Sequence, residues 1–206
     1  VDASFEYDGT EKEFLVTGFD ENTMIAGGNK KTDAGTHSAD YGIKDEDNYE
    51  WEDGTSTILS FRWYITKVSL KKPEPITVTF TYDGQEKEIV VSNYDSNILS
   101  VENGIGMIPG IYSAKYTIIN TNNYEWEDGT TDEVIIPWTI GKAKIKRPIA
   151  NNTEFTYNGT QHELVVENYD SNVMTVENNI KTRVGVYNAT FSLINWQYYE
   201  WEDGTQ

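Results

Sequence analysis

The chain has 206 residues, no cysteine, a formal net charge of −18 and a pI near 4.3. Disulfides, thiol chemistry and Cys-based metal sites are therefore excluded. Asp and Glu outnumber Lys and Arg by 34 to 16, which disfavours nucleic acid and anionic membrane surfaces as partners, since both need clustered cations. No apolar run reaches the length of a membrane span, and no signal peptide is expected within these residues. The chain opens within what reads as a strand, so a fragment of a longer protein is expected.

One small module is written three times. Phe5-Glu-Tyr-Asp-Gly9 returns as Phe80-Thr-Tyr-Asp-Gly84 and Phe155-Thr-Tyr-Asn-Gly159, a step of 75 residues each time. Tyr49-Glu-Trp-Glu-Asp-Gly-Thr55 returns at 124–130 and 199–205 with the same step. A constant interval of this size marks a tandem array. The copies are placed at 1–68, 69–143 and 144–206.

The complete second copy serves as template. Ile76-Thr-Val-Thr-Phe-Thr-Tyr82 alternates with period two and predicts a half-buried strand with Ile76, Val78, Phe80 and Tyr82 inward. Asp83-Gly84 predicts a two-residue hairpin turn into a returning strand over 87–92. Asn93-Tyr-Asp-Ser-Asn97 is a turn, followed by a short strand at 98–101. A long alternating run then puts Tyr112, Ala114, Tyr116 and Ile118 on one face. In the following block Tyr124 and Trp126 are read as core, and Glu125 and Glu127 as solvent-facing. The last strand, 134–140, turns Val134, Ile136, Trp138 and Ile140 inward, and Pro137 places that position at an edge.

Basic, Pro-containing segments at 67–75 and 142–148 read as short connectors that limit hinging. The third copy reaches Gln206 without a counterpart of the Trp63 and Trp138 strands. An unfilled edge, or one filled by another chain, is expected there. No window shows sustained helical periodicity. The expected fold is all-β: three tandem small antiparallel β-sandwich domains, the third lacking its last strand.

The blocks Phe80–Gly84, Asn93–Ser96, Pro109–Tyr112, Asn123–Thr130 and Trp138–Lys142 resemble the tandem Ig-like repeats, of the YDG and MBG types, in Gram-positive cell-surface adhesins. The resemblance covers nearly the whole chain. It implies an extracellular, wall-associated parent and a role as stalk, spacer or binding module, with host glycan, mucin or matrix protein as the class of partner.

The internal repeat acts as a control for chemistry. His37 stands where the other copies have Tyr112 and Tyr187, and His162 where they have Lys12 and Lys87, so the histidines form no repeated site. The carboxylates around Glu50, Glu52 and Asp53 flank a turn and read as a solvated face, with weak calcium binding as the alternative. No cofactor and no enzymatic activity are expected. Departures between copies supply the candidates. Trp196 and Tyr198 replace Thr121 and Asn123, adding two aromatics that either pack locally or form a contact surface. Arg62 and Tyr64 replace Pro137 and Thr139 and form a second binding candidate. The leading expectation is a semi-rigid stalk, with glycan or mucin binding through the third copy as the alternative. Scattering separates a compact globule, with a radius of gyration of roughly 17 Å, from three domains in line at roughly 30 Å.

Overall fold

The computed structural model describes residues 3–205. Those residues form strands and turns with no helix. The chain divides into two compact units, one of Val1–Glu74, Ser92–Glu102 and Lys115–Val134, the other of Pro75–Val91, Asn103–Ala114 and Ile135–Gln206. Each unit thus draws on the middle copy of the repeat.

In the first unit the main sheet belongs to copy one. Gly35–Ile43 pairs antiparallel with Met24–Gly27 on one side and with Leu59–Thr66 on the other. Ala3–Glu6 closes the sheet, running parallel to Leu59–Thr66 with Phe5 opposite Ile65. Period-two alternation puts Ala39, Tyr41, Trp63 and Ile65 on the buried face. Phe5, Tyr7, Phe14, Val16 and Phe19 pack over them. A second cluster in this unit joins Leu99, Ile118 and Trp126 with Leu70, Ile98, Tyr124 and Val134. Leu99–Glu102 pairs there antiparallel with residues 115–118.

In the second unit Thr79–Thr81 runs parallel to residues 139–141, repeating the arrangement of copy one. Ile136, Trp138 and Ile140 are buried, as the alternation requires. Pro137 is exposed, and pairing with Thr79–Thr81 begins only at Thr139, so the missing N–H interrupts no ladder on that side. The third copy contributes the antiparallel pairs Met174–Glu177 with Thr190–Leu193, His162–Glu163 with Ile180–Lys181, and Ile149–Ala150 with Val166–Glu167.

Three expectations change. The sheets are not purely antiparallel, because the first and last strands of a copy run parallel. Period-two alternation fixes which face a residue occupies but carries no strand direction, and a whole copy separates the two strands, ample for a crossover. The Asp-Gly turn does not close a hairpin. Asp83 Oδ1 accepts from the Gln85 N–H at 2.9 Å and Gly84 takes φ 80°, but Lys87–Glu88 then pairs with Ile105–Gly106 instead of the strand it left. The run 76–82 is broken at Val78, leaving Ile76 exposed.

The connectors are strands. Val68–Leu70 runs parallel to Tyr124–Trp126 in the first unit. Ala143–Ile145 runs parallel to Tyr199–Trp201 in the second. The Tyr-Glu-Trp blocks of copies two and three are thereby covered by the segments at which those copies begin, and Trp126 and Trp201 are buried. In copy one the same block is not a strand, Tyr49 is 52% exposed and Trp51 only half-buried.

Candidate binding site

The strand of Trp63 or Trp138 fills a slot of constant design. In copy one the indole meets Phe5 edge-on at 5.8 Å, stacks on Phe14 at 6.1 Å and touches His37 at 5.0 Å. Its Nε1–H donates to the Gly28 carbonyl at 3.3 Å. In copy two Trp138 meets Phe80 edge-on at 5.8 Å, stacks on Tyr112 at 4.5 Å and donates to the Asn103 carbonyl at 3.0 Å. The accepting residue is left-handed in both, with φ 71° at Gly28 and 56° at Asn103. That turn aims the carbonyl inward, and Gly and Asn are the residues that adopt it at least cost.

Copy three carries the same walls around a cavity of about 640 Å³. Phe155, Leu164, Asn178, Tyr187 and Ala189 line it at the positions of Phe80, Ile89, Asn103, Tyr112 and Ala114. Asn178 keeps the left-handed φ, at 62°. Phe155 and Tyr187 are 46% and 45% exposed, whereas their counterparts in the filled copies are half-buried or less. His162 lies against Phe155 at 5.3 Å, and its Nε2 is buried with no hydrogen-bond partner among the described residues. At the same position Lys12 and Lys87 reach back to Asp8 and Asp83. That ammonium holds both carboxyls below their ordinary range. Copy three has replaced both partners, with His162 and Asn158. The joint loss of the ion pair was visible in the sequence as two separate substitutions.

Trp196 is 58% exposed, with the Lys142 ammonium 5.5 Å above its ring. It borders a shallow cavity of about 400 Å³ with Phe191, Leu193 and Trp201. Tyr198 is half-buried and stacks on Tyr82 at 4.8 Å, while Tyr199 meets the same Tyr82 edge-on at 5.8 Å. Crowding by these rings and the resulting desolvation raise the Tyr82 hydroxyl above its ordinary pKa. Tyr198 therefore belongs to an aromatic cluster between copies two and three. Arg62 is exposed and Tyr64 half-buried, paired in register with Ser38 and Thr36 on either side of buried Trp63. They lie in the first unit, and Trp196 and Tyr198 in the second.

Among the described residues no group of three or more His, Asp or Glu is placed to hold a metal ion, and no helix is long and apolar enough to cross a membrane. Compared with known proteins, the chain matches no family model and no curated protein.

Proposed function

We propose that the chain is a structural and adhesive segment of a bacterial cell-surface protein, built of Ig-like sandwich repeats and acting as a semi-rigid stalk that spaces a binding domain from the cell wall. One observation carries this reading: what joins one copy to the next is ordered strand. Val68–Leu70 pairs with Tyr124–Trp126, and Ala143–Ile145 pairs with Tyr199–Trp201. Side chains reinforce each junction. Lys72 binds Asp128 at 2.6 Å, and Arg147 binds Asp203 at 3.0 Å while lying 4.9 Å over the Trp201 ring. Exposed ion pairs add little stability each; backbone pairing is what removes the hinge. A connector of this kind passes load and orientation along an array, and the constant repeat length suits spacing.

Small-angle scattering tests the proposal. A radius of gyration near roughly 30 Å supports the stalk, and one near roughly 17 Å overturns it. The exposed indole of Trp196 supports a second reading, recognition of a host glycan or mucin by ring stacking. Binding of the chain to a glycan and mucin panel that Trp196→Ala abolishes would favour it; binding equal in the variant would dismiss it.

A further inference from the structure

We propose that the open edge of Met24–Gly27, in copy one, is a self-association surface, and that its partner is the same strand of a second molecule of this chain. The two strands would run antiparallel about a two-fold axis, with Ile25 opposite Ile25. This inference rests on the comparison of copies one and two and is independent of the stalk reading.

Met24–Gly27 ends its sheet, with Gly35–Ile43 on one side and no strand on the other among the described residues. Its place in the array does not create this edge. Leu99–Glu102, the same strand in copy two, is also an edge, although a copy stands before it and another after it. What differs is the protection. At Ser100, Glu102, Thr117, Lys115 and Glu133 the outer face of copy two is polar, and the Lys115 ammonium binds Glu102 at 3.0 Å and Glu133 at 3.2 Å. Charges held beside an edge discourage a further strand. Copy one has Ile25, Gly27, Gly42, Asp40 and Ile58 at those five positions. Asp40 is the one charge left among them, and it is bound by the Ser60 hydroxyl at 2.6 Å. Ile25 is 57% and Ile58 66% exposed. Both lean over Gly42, where Ile25 Cγ2 and Ile58 Cγ1 lie 3.5 and 3.7 Å from the place a Cβ would take. Copy one has thus exchanged a charged screen for an apolar ridge beside an open edge.

Backbone alternation sets the register. The Lys44 N–H donates to the Thr23 carbonyl at 2.9 Å, so the odd-numbered residues of this strand bond inward to Gly35–Ile43. Met24 and Ala26 then present their carbonyls, and Ala26 its N–H, to the open side; the Met24 N–H is taken by the Asp20 carbonyl at 2.8 Å. Two molecules satisfy one another when each Ala26 N–H donates to the Met24 carbonyl of the other. That register puts Ile25 beside Ile25 at the close, non-hydrogen-bonded position, where cross-strand side chains interact best. Charge favours a second molecule of this chain as the occupant. Asp20 and Glu21 precede the strand and Lys30 and Lys31 follow it, so antiparallel pairing sets the acidic end of each against the basic end of the other. Copy two has Asp95 and Ser96 before its strand and Ile105 and Gly106 after it. Charges more than about 8 Å apart are largely screened at physiological ionic strength, so the net −18 does not forbid the contact.

The test is sedimentation of the full chain over a concentration series at physiological salt. The expected result is a reversible monomer–dimer equilibrium of the weak class, which buries less than about 1,200 Å². Ile25→Lys should weaken it at least about tenfold. Ala26→Pro removes the outward N–H, a change that an edge strand tolerates, and should weaken it likewise. Ser100→Lys, at the matching position of copy two, should leave it unchanged. Urea midpoints report that the variants fold, and either copy-one variant decides the point if the other does not. Ile25→Cys then locates the contact, since the chain has no cysteine of its own. Residues paired in this way stand about 4.5 Å apart between Cα atoms, within disulfide reach. Mild oxidation should give a covalent dimer with Ile25→Cys and none with Ser100→Cys. A chain that stays monomeric at millimolar concentration, a dimer indifferent to Ile25→Lys and Ala26→Pro, or equal crosslinking from the two cysteine variants overturns the proposal.

Discussion

Asn123 donates from Nδ2 to Asp33 Oδ1 at 2.8 Å, and its Oδ1 accepts the Ala34 N–H at 2.7 Å. Its side chain, 1% exposed, thus bridges copy one and copy two within the first unit. Beside it Tyr7 meets Tyr124 edge-on at 5.5 Å. Removing the amide leaves the part-buried Ala34 N–H without its acceptor and a cavity where the buried side chain stood, so Asn123→Ala should cost about 1–3 kcal/mol. The matching Asn48 of copy one is exposed and bonded only locally to Asp45 in the described structure, so Asn48→Ala should stay within about 0.5 kcal/mol. Urea unfolding of the two variants checks this; equal effects would mean that the bridge contributes nothing.

The next junction solves the same problem with rings. Tyr198 occupies the position of Asn123, and Tyr82 that of Tyr7. Their stacking at 4.8 Å predicts a coupling of about 0.5–1.5 kcal/mol in a double-mutant cycle of Tyr82→Ala and Tyr198→Ala. Strictly additive losses would show that the two rings are neighbours without interaction.

Two tryptophans of one unit should respond in opposite ways. Trp138 is 1% exposed and packed by Phe80 and Tyr112, so Trp138→Ala should cost about 3–5 kcal/mol through the cavity it leaves. Trp196 is 58% exposed, and Trp196→Ala should leave the urea midpoint nearly unchanged. A large loss on Trp196→Ala would make that ring a packing element and remove the ground for a contact surface there.

Much of this was legible in the sequence, and the limits have physical causes. The inward face of Val134–Gly141 follows from alternation alone, and burial agrees at Ile136, Trp138 and Ile140. Strand direction did not follow, because period two is the same whichever way a partner runs. Asp83-Gly84 announced a turn correctly, but a turn does not say which strands pair beyond it. Trp196 and Tyr198 stood out as added aromatics. Only the fold shows that one is exposed while the other stacks on a residue far away in sequence. Asn123 reads as an ordinary turn residue. The signal that it sits at a junction was the triplet Asn48, Asn123 and Tyr198, one position holding an amide twice and a ring once.

Acid should loosen the connectors. Lys72, by its bond to the Asp128 carboxylate, and then the Thr130 hydroxyl and N–H hold that carboxyl well below its ordinary 3.8. Asp203 is lowered likewise by the Thr205 hydroxyl and N–H and by Arg147. A carboxyl whose folded pKa is depressed contributes stability that is complete above its unfolded value, about 3.9, and is lost as pH falls through the lower folded value. The urea midpoint should therefore hold level from neutral pH to about 5 and fall below about 4. Because both carboxyls are exposed, salt should blunt the effect. Lys72→Met should raise the Asp128 titration toward its ordinary value while leaving that of Asp203 in place, read from carboxyl carbon shifts. An Asp128 that titrates normally in the unaltered chain would show that the Lys72 bond does not hold in solution, and the connector would then rest on its backbone pairing with Tyr124–Trp126 alone.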